Sequence, residues 1–254
     1  MNGLDFFDFN AALGSSQAGT WHPAVDRAGL LSAMDETGIK ESLAWHIGQQ
    51  EWSAADGNQL LADMVNGEPR LRGCWTILPP VTKELPGPAA FFAAMRERRI
   101  GALRAFPGDH RWVLCRESLG PLLDGIVERR IPLLLSLRRG GVTWPMVYEF
   151  LREAPLLVCV LCDLGDWGCD RYFRPLLDRY PGVHVETSVL ALHDAVIETV
   201  VPAHGADRLV FGTGFPDRSP AAAMLPLVHA DIPDEAKRAI ASGNARRLLS
   251  ETKL

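Results

Sequence analysis

Two carboxylates, Asp163 and Glu186, and one imidazole, His46, each stand at or near the end of an apolar run of strand type, where many enzymes place their acid and base groups. Carboxylates from adjacent strands can act as general acid and general base without a metal, provided that their surroundings push their pKa values apart. Comparable positions carry groups suited to holding a polar or anionic molecule: Asp8, Asn10, Arg104, His110, Ser136, Arg138 and Ser188. In that arrangement Arg104 and Arg138 grip a carboxylate or phosphate, and Asp163, Glu186 and His46 exchange protons. Taken singly, each residue has an equally simple structural reading, since a buried charge needs a partner whatever the protein does.

The elements that must position these groups are legible as eight strand-like runs: "LDFFDF" (4–9), "ESLAWH" (41–46), "LRGCWTIL" (71–78), "GALRAF" (101–106), "PLLLSL" (132–137), "LLVCVLC" (156–162), "VHVETS" (183–188) and "RLVFGT" (208–213). Amphipathic helical patterns separate them, among them "SAADGNQLLADMV" with Ser53 as its N-cap. Eight βα units predict an α/β fold, the (β/α)8 TIM barrel, as a single domain over 1–254 with its site at the strand C-termini. A doubly wound open sheet is the alternative. It fits less well, because "GTGFPD" lacks the third glycine of a dinucleotide fingerprint and follows the last strand.

Strict alternation sends Phe6, Asp8 and Asn10 toward the barrel axis and Phe7 and Phe9 against the helices. It likewise groups Ser42, Ala44 and His46 opposite Leu43 and Trp45, and His184, Glu186 and Ser188 opposite Val183, Val185 and Thr187. A barrel filled only for stability would carry branched aliphatic residues at such strand ends.

The composition narrows the class. The chain has 254 residues, 47% hydrophobic and 22% charged, with a net charge of -5. It has no long basic run, so no nucleic-acid partner is expected. Its apolar runs are too short to span a bilayer and its N-terminus lacks a basic segment before an apolar one, so the expectation is a cytoplasmic protein with no membrane partner. Cys159 and Cys162 are spaced to opposite faces of a strand, which suits buried thiols better than a metal knuckle. There is no G-x-S-x-G or H-E-x-x-H, and the "GSS" at 14–16 has no base beside it. No cofactor is expected, the partner is a small-molecule ligand, and homo-oligomer formation is left open.

Several stretches carry a resemblance over nearly the whole chain: "LLSAMDETGIKESLAWH" (30–46), "VLCDLGD" (160–166), "YPGVHVETS" (180–188), "GADRLVFGTGFPD" (205–217) and "IASGNARRLL" (240–249). Together they resemble the amidohydrolase-related family of the metal-dependent hydrolase superfamily. The resemblance implies a metal centre built from D-x-H-x-H on the first strand, histidines ending the fifth and sixth, and an aspartate ending the eighth. This sequence keeps Asp8 of that set but departs from it at the five metal-ligand positions. Asn10 and Ala12 stand at the first-strand histidines, Ser136 and Asp163 at the next two, and Gly214 at the aspartate. A catalytic zinc needs about three strong protein ligands, so the expectation is no metal site. A different ion held by Asp163, Glu186, His46 and His110 matches no recognised ligand spacing. Two readings follow: a metal-independent or vestigial hydrolase or lyase that binds a small polar or anionic molecule, and a non-catalytic binding or scaffold protein whose old site has been refilled. A mouth closed by Trp112, Trp167 and Phe215 would favour the second.

Overall fold

The computed structural model describes residues 3–16, 24–165, 168–190 and 195–254. Eight parallel strands follow one another around the sheet in chain order: β1 Phe6–Leu13, β2 Ile39–His46, β3 Leu71–Thr76, β4 Ile100–Arg104, β5 Leu133–Ser136, β6 Cys159–Cys162, β7 Val183–Glu186 and β8 Leu209–Val210. The last returns to the first. Phe9 N–H donates to the Phe211 carbonyl at 2.9 Å, Gly214 N–H to Asn10 at 3.0 Å and Ala12 N–H to Phe215 at 2.8 Å, which makes the sheet a (β/α)8 barrel. The run 208–213 is strand over two residues only, because from Phe211 onward its backbone leaves β7 and bonds to β1 and to Ile240.

A helix crosses back after each strand, as parallel pairing demands. They are α1 Arg27–Thr37, α2 Ala54–Val65, α3 Pro88–Glu97, α4 Pro121–Glu128, α5 Trp144–Glu153, α6 Asp170–Arg179, α7 Val196–His204 and α8 Pro220–His229, with a terminal α9 Asn244–Ser250. Side-chain caps start three of them: Asp26 accepts from Gly29 N–H, Ser53 from Asp56 and Thr143 from Met146. Among the described residues no helix is long and apolar enough to cross a membrane.

Two apolar layers result. Between strands and helices lie Phe6, Ala44, Leu103, Leu135, Cys159, Val183 and Val185, packed with helix residues such as Leu61, Phe91 and Phe150. Inside the barrel lie Phe7, Phe9, Leu43, Trp45, Cys74, Ala102, Leu134, Val160, Cys162 and Val210, joined by Ala245 and Leu248 of α9. Cys159 and Cys162 fall on opposite faces, as their spacing requires, and burial pushes the Cys159 thiol up to about 12.

The same partition corrects the expected facing of β1 and β2. Phe7 and Phe9 fill the interior, while Phe6 packs edge-on against Phe211 in the outer layer. Asn10 is nevertheless turned inward, because the pairing with β2 slips between Asp8 and Ala11 and the extra residue reverses the alternation. In β2 the interior set is Leu43 and Trp45, which places His46 on the other side of the strand.

The closing motifs act as ties. Arg208 donates from Nε to the Val183 carbonyl at 2.9 Å and from Nη2 to Tyr180 at 2.6 Å, fixing the start of β8 to β7. Asn244 Nδ2 donates to the carbonyls of Ala206 and Leu209, both at 2.8 Å, and so anchors α9 under the barrel.

If Phe9 is an interior residue, Phe9→Ala should lower the unfolding free energy by about 3–5 kcal/mol, the cost of emptying a packed aromatic site. Urea melts would measure it, and a loss below about 1 kcal/mol would contradict the interior placement.

Candidate functional site

The polar strand ends meet where the barrel closes. Asn10 lies at the centre: its Oδ1 accepts from Arg104 Nη2 at 2.6 Å, and its Nδ2 donates to Asp163 Oδ1 and to Glu186 Oε2, both at 3.2 Å. Ser136 Oγ donates to Asp163 Oδ2 at 2.8 Å. Ser188 gives Glu186 two hydrogen bonds, one from its backbone N–H and one from its hydroxyl at 2.9 Å. Asp163 N–H adds a longer contact to Glu186 at 3.4 Å. The structure thus gathers six of the ten expected residues, Asn10, Arg104, Ser136, Asp163, Glu186 and Ser188, into one buried network.

Asp8 stands one step away. Its carboxylate accepts from Thr213 N–H at 2.9 Å, Thr213 Oγ1 at 2.6 Å and Asn10 N–H at 2.9 Å, so it binds the two sides of the closing seam. Burial raises its pKa against all three hydrogen bonds.

His46, His110 and Arg138 lie outside the network. His46 Nδ1 accepts from Gly48 N–H at 3.0 Å, and its ring meets Trp52 edge-on, as its outward side of β2 dictates. His110 packs edge-on against Phe106 in the loop after β4. Burial lowers the pKa of both histidines. Arg138 is exposed and contributes only its backbone N–H, to Ser136 Oγ. Its neighbour Arg139 is the one that reaches the mouth, where it bonds Gln50 and Asp217 and lies 5.4 Å above the Trp45 ring.

Arg218 was not legible as a site residue. It follows the last strand by several positions, in a loop with no periodic signal. Its Nη1 donates to Asp163 Oδ1 at 3.0 Å and to Ser188 Oγ at 3.4 Å. That same nitrogen occupies the space that a Cβ at Gly214 would need, and Gly214 has φ +67. Gly212 is constrained similarly, since a Cβ there would come within 2.5–2.7 Å of the Glu186 carboxyl group and its Cγ. The two glycines at the end of β8 therefore admit one guanidinium and one carboxyl group.

The two carboxyls have unlike surroundings. Burial would raise the Asp163 pKa, but the Arg104 charge, the Ser136 hydroxyl and Arg218 outweigh it and hold the group below the usual carboxylate range. For Glu186, burial comes first and the Asp163 charge second, and together they raise it to about 7 although Ser188 pulls the other way. Arg104 reaches Glu186 only through the Asn10 amide. Arg104 itself is 0% exposed, lies 4.6 Å from the Trp45 ring centre, and has no hydrogen-bond partner at Nε or Nη1 among the described residues.

This donor set does not fit the divalent metal that the resemblance implies. Asn10 turns N–H groups toward the carboxylates, Ser136 donates its proton to Asp163, and Asp163 already accepts from Asn10, Ser136 and Arg218. A metal needs free lone pairs, and here they point at protons. Among the described residues no three His, Cys, Asp or Glu side chains are grouped to hold an ion. Trp112 and Phe215 are half-buried at the rim, and Trp167 lies outside the described residues.

The elevated Glu186 pKa fixes a sign. Between its unfolded value, 4.5, and about 7 the folded chain binds the extra proton, so this residue's contribution to stability is complete below 4.5 and lost as pH rises to about 7. Glu186→Gln should therefore remove a stability slope amounting to up to about 3 kcal/mol over that window. Denaturant melts of both proteins at several pH values would show it, and parallel pH profiles would refute the shift.

None of the curated proteins matches the sequence. Solved structures match in fold: an uncharacterized TIM-barrel protein from Bordetella bronchiseptica has TM-score 0.73 and 17% identity, over 98% of this chain and 99% of that one. A 5-carboxyvanillate decarboxylase from Novosphingobium aromaticivorans, complexed with manganese, has TM-score 0.74 and 15% identity over 98% and 96%. A protein from Pseudomonas putida described as a 2-pyrone-4,6-dicarboxylic acid hydrolase has TM-score 0.71 and 18% identity, over 98% of each chain. The sequence profile of the amidohydrolase family matches residues 15–250, and the chain belongs to that family.

Proposed function

We propose that this amidohydrolase-family barrel binds a small carboxylate at its C-terminal mouth and acts on it, as a hydrolase or lyase, without a metal ion. The observation that carries the reading is Arg218. Its guanidinium stands against Asp163 where a side chain at position 214 would otherwise project, and its side chain keeps 22% exposure, enough to meet an incoming anion. Arg104, with two unpartnered nitrogen positions, supplies further positive potential below it. Glu186 is the group suited to giving up or taking a proton near neutrality, while Asp163 stays ionised and holds the guanidinium in place. Carboxylated ring compounds appear in the names of the fold neighbours, and they are the natural probes.

One observation favours the refilled-site alternative. Glu186 and Arg104 are 0% exposed and Asp163 5%, so a ligand must reach a tightly packed cluster. A scaffold needs no such access.

Thermal melts in a chelating buffer would separate the readings. A bound ring carboxylate should raise the wild-type melting temperature by about 2 °C or more, and Arg218→Ala should abolish the shift. If Glu186 is the proton donor, turnover of that compound should fall as pH rises through about 7. Elemental analysis should find far less than about one zinc or manganese per chain. A retained stoichiometric metal would overturn metal independence. If no carboxylate shifts the wild type more than Arg218→Ala, the cluster is structural.

A further inference from the structure

The opposite, N-terminal end of the barrel holds a cavity of about 340 Å³ between the end of α4, the chain entering β6 and β7, and Arg247 of α9. Its lining combines His184, Arg130 and Arg247 with the apolar Leu156, Val158 and Pro181. His184 shares the face of β7 with Glu186 but lies two residues earlier, so it opens to the other end of the barrel and takes no part in the network at the mouth.

Around Glu251 the donors outnumber the acceptors. Glu251 is a single carboxylate shared by Arg130 at 2.6 Å and Arg247 at 3.4 Å. Two guanidiniums carry ten N–H donors between them, more than one carboxylate can accept. Arg247 also donates to the Asp207 carbonyl at 3.2 Å, and Arg208 lies close by. Burial first, then the charges of Arg247 and Arg208, depress the His184 pKa to about 3, against the Asp207 carbonyl and Glu251, which raise it. His184 is therefore neutral. Its Nδ1 lies 3.0 Å from the Asp207 carbonyl, which can only accept, so the ring proton is on Nδ1 and Nε2 is a bare acceptor.

We infer that this cavity is a second ligand site, for a small phosphomonoester, with Arg130 and Arg247 on the phosphate oxygens and His184 Nε2 accepting a P–OH or substituent hydroxyl. The volume exceeds what a bare phosphate needs, and the apolar part of the lining would receive the substituent. Acidic groups also line the cavity. Glu128 is already paired with Arg129 at 3.1 Å, and the Asp207 carboxylate can accept further hydroxyls of the ligand.

Isothermal titration at constant ionic strength with inorganic phosphate, glycerol phosphate and sulfate tests the inference. Saturable binding at one site is expected for both phosphates. Sulfate, which has no proton to give His184, should bind about tenfold more weakly. Arg130→Gln, at a side chain 46% exposed and so tolerant of change, should weaken glycerol phosphate about tenfold or more. Arg218→Ala, at the other end of the barrel, should leave it unchanged. No saturable heat, equal binding by Arg130→Gln, or loss of binding in Arg218→Ala would each overturn the assignment. The last result would place the anion at the mouth.

Discussion

A carboxylate buried at the end of a barrel strand must be given positive charge, and in this chain the rest of the mouth follows from the partner that Asp163 has. A divalent ion would draw lone pairs toward one point, whereas a guanidinium is planar, carries five donors and needs acceptors around it. With Arg218 on Asp163, neighbouring groups are selected to bring protons in: the Ser136 hydroxyl, the Asn10 amide and the Ser188 hydroxyl all point toward oxygens of the carboxyl pair. Histidines at those positions would serve a metal. Beside a guanidinium they would add a further cation or compete for Asp163 as donors.

The space for this exchange comes from β8. A side chain at position 214 would require Arg218 to move, and one at 212 would require Glu186 to move. Both residues are glycine, so the strand end gives up its own functional group and accommodates two from elsewhere. This is why "FGTGFP" looks chemically empty when read alone. Thr213, between the glycines, has a different task, since its N–H and hydroxyl hold Asp8 and with it the closing seam.

The barrel was legible because its signals are local. Each apolar run and each cap can be read from a few consecutive residues, as at Ser53, and parallel strands bring their ends to one rim without further information. The facing of side chains was legible only where alternation holds. In β7 it does, and Val183 and Val185 pack outward as expected. In β1 a one-residue slip in pairing reverses it midway, and nothing in "FFDFNAAL" announces the slip, because Phe is apolar on either face. Trp45 misled in a related way: an aromatic residue suits the helix layer, but in this barrel it lies inside, beneath Arg139 and against Arg104. Arg218 was out of reach for a third reason, since a loop residue is positioned by tertiary contacts that no spacing encodes.

The pair Asp163 and Glu186 completes the argument from the cation. Were both carboxyls ionised, two buried negative charges would share one amide. Arg104 and Arg218 both act on Asp163, and only Asp163 has a guanidinium in direct contact, so it is the member that stays charged. Glu186 receives neutral donors, which favour its ionised form less than burial and its charged neighbour oppose it. The guanidinium of Arg218 therefore does more than neutralise one carboxylate. By satisfying Asp163 alone it leaves the second carboxyl with a proton affinity near neutral pH, which is the property that acid–base chemistry requires and that a well-paired structural carboxylate lacks.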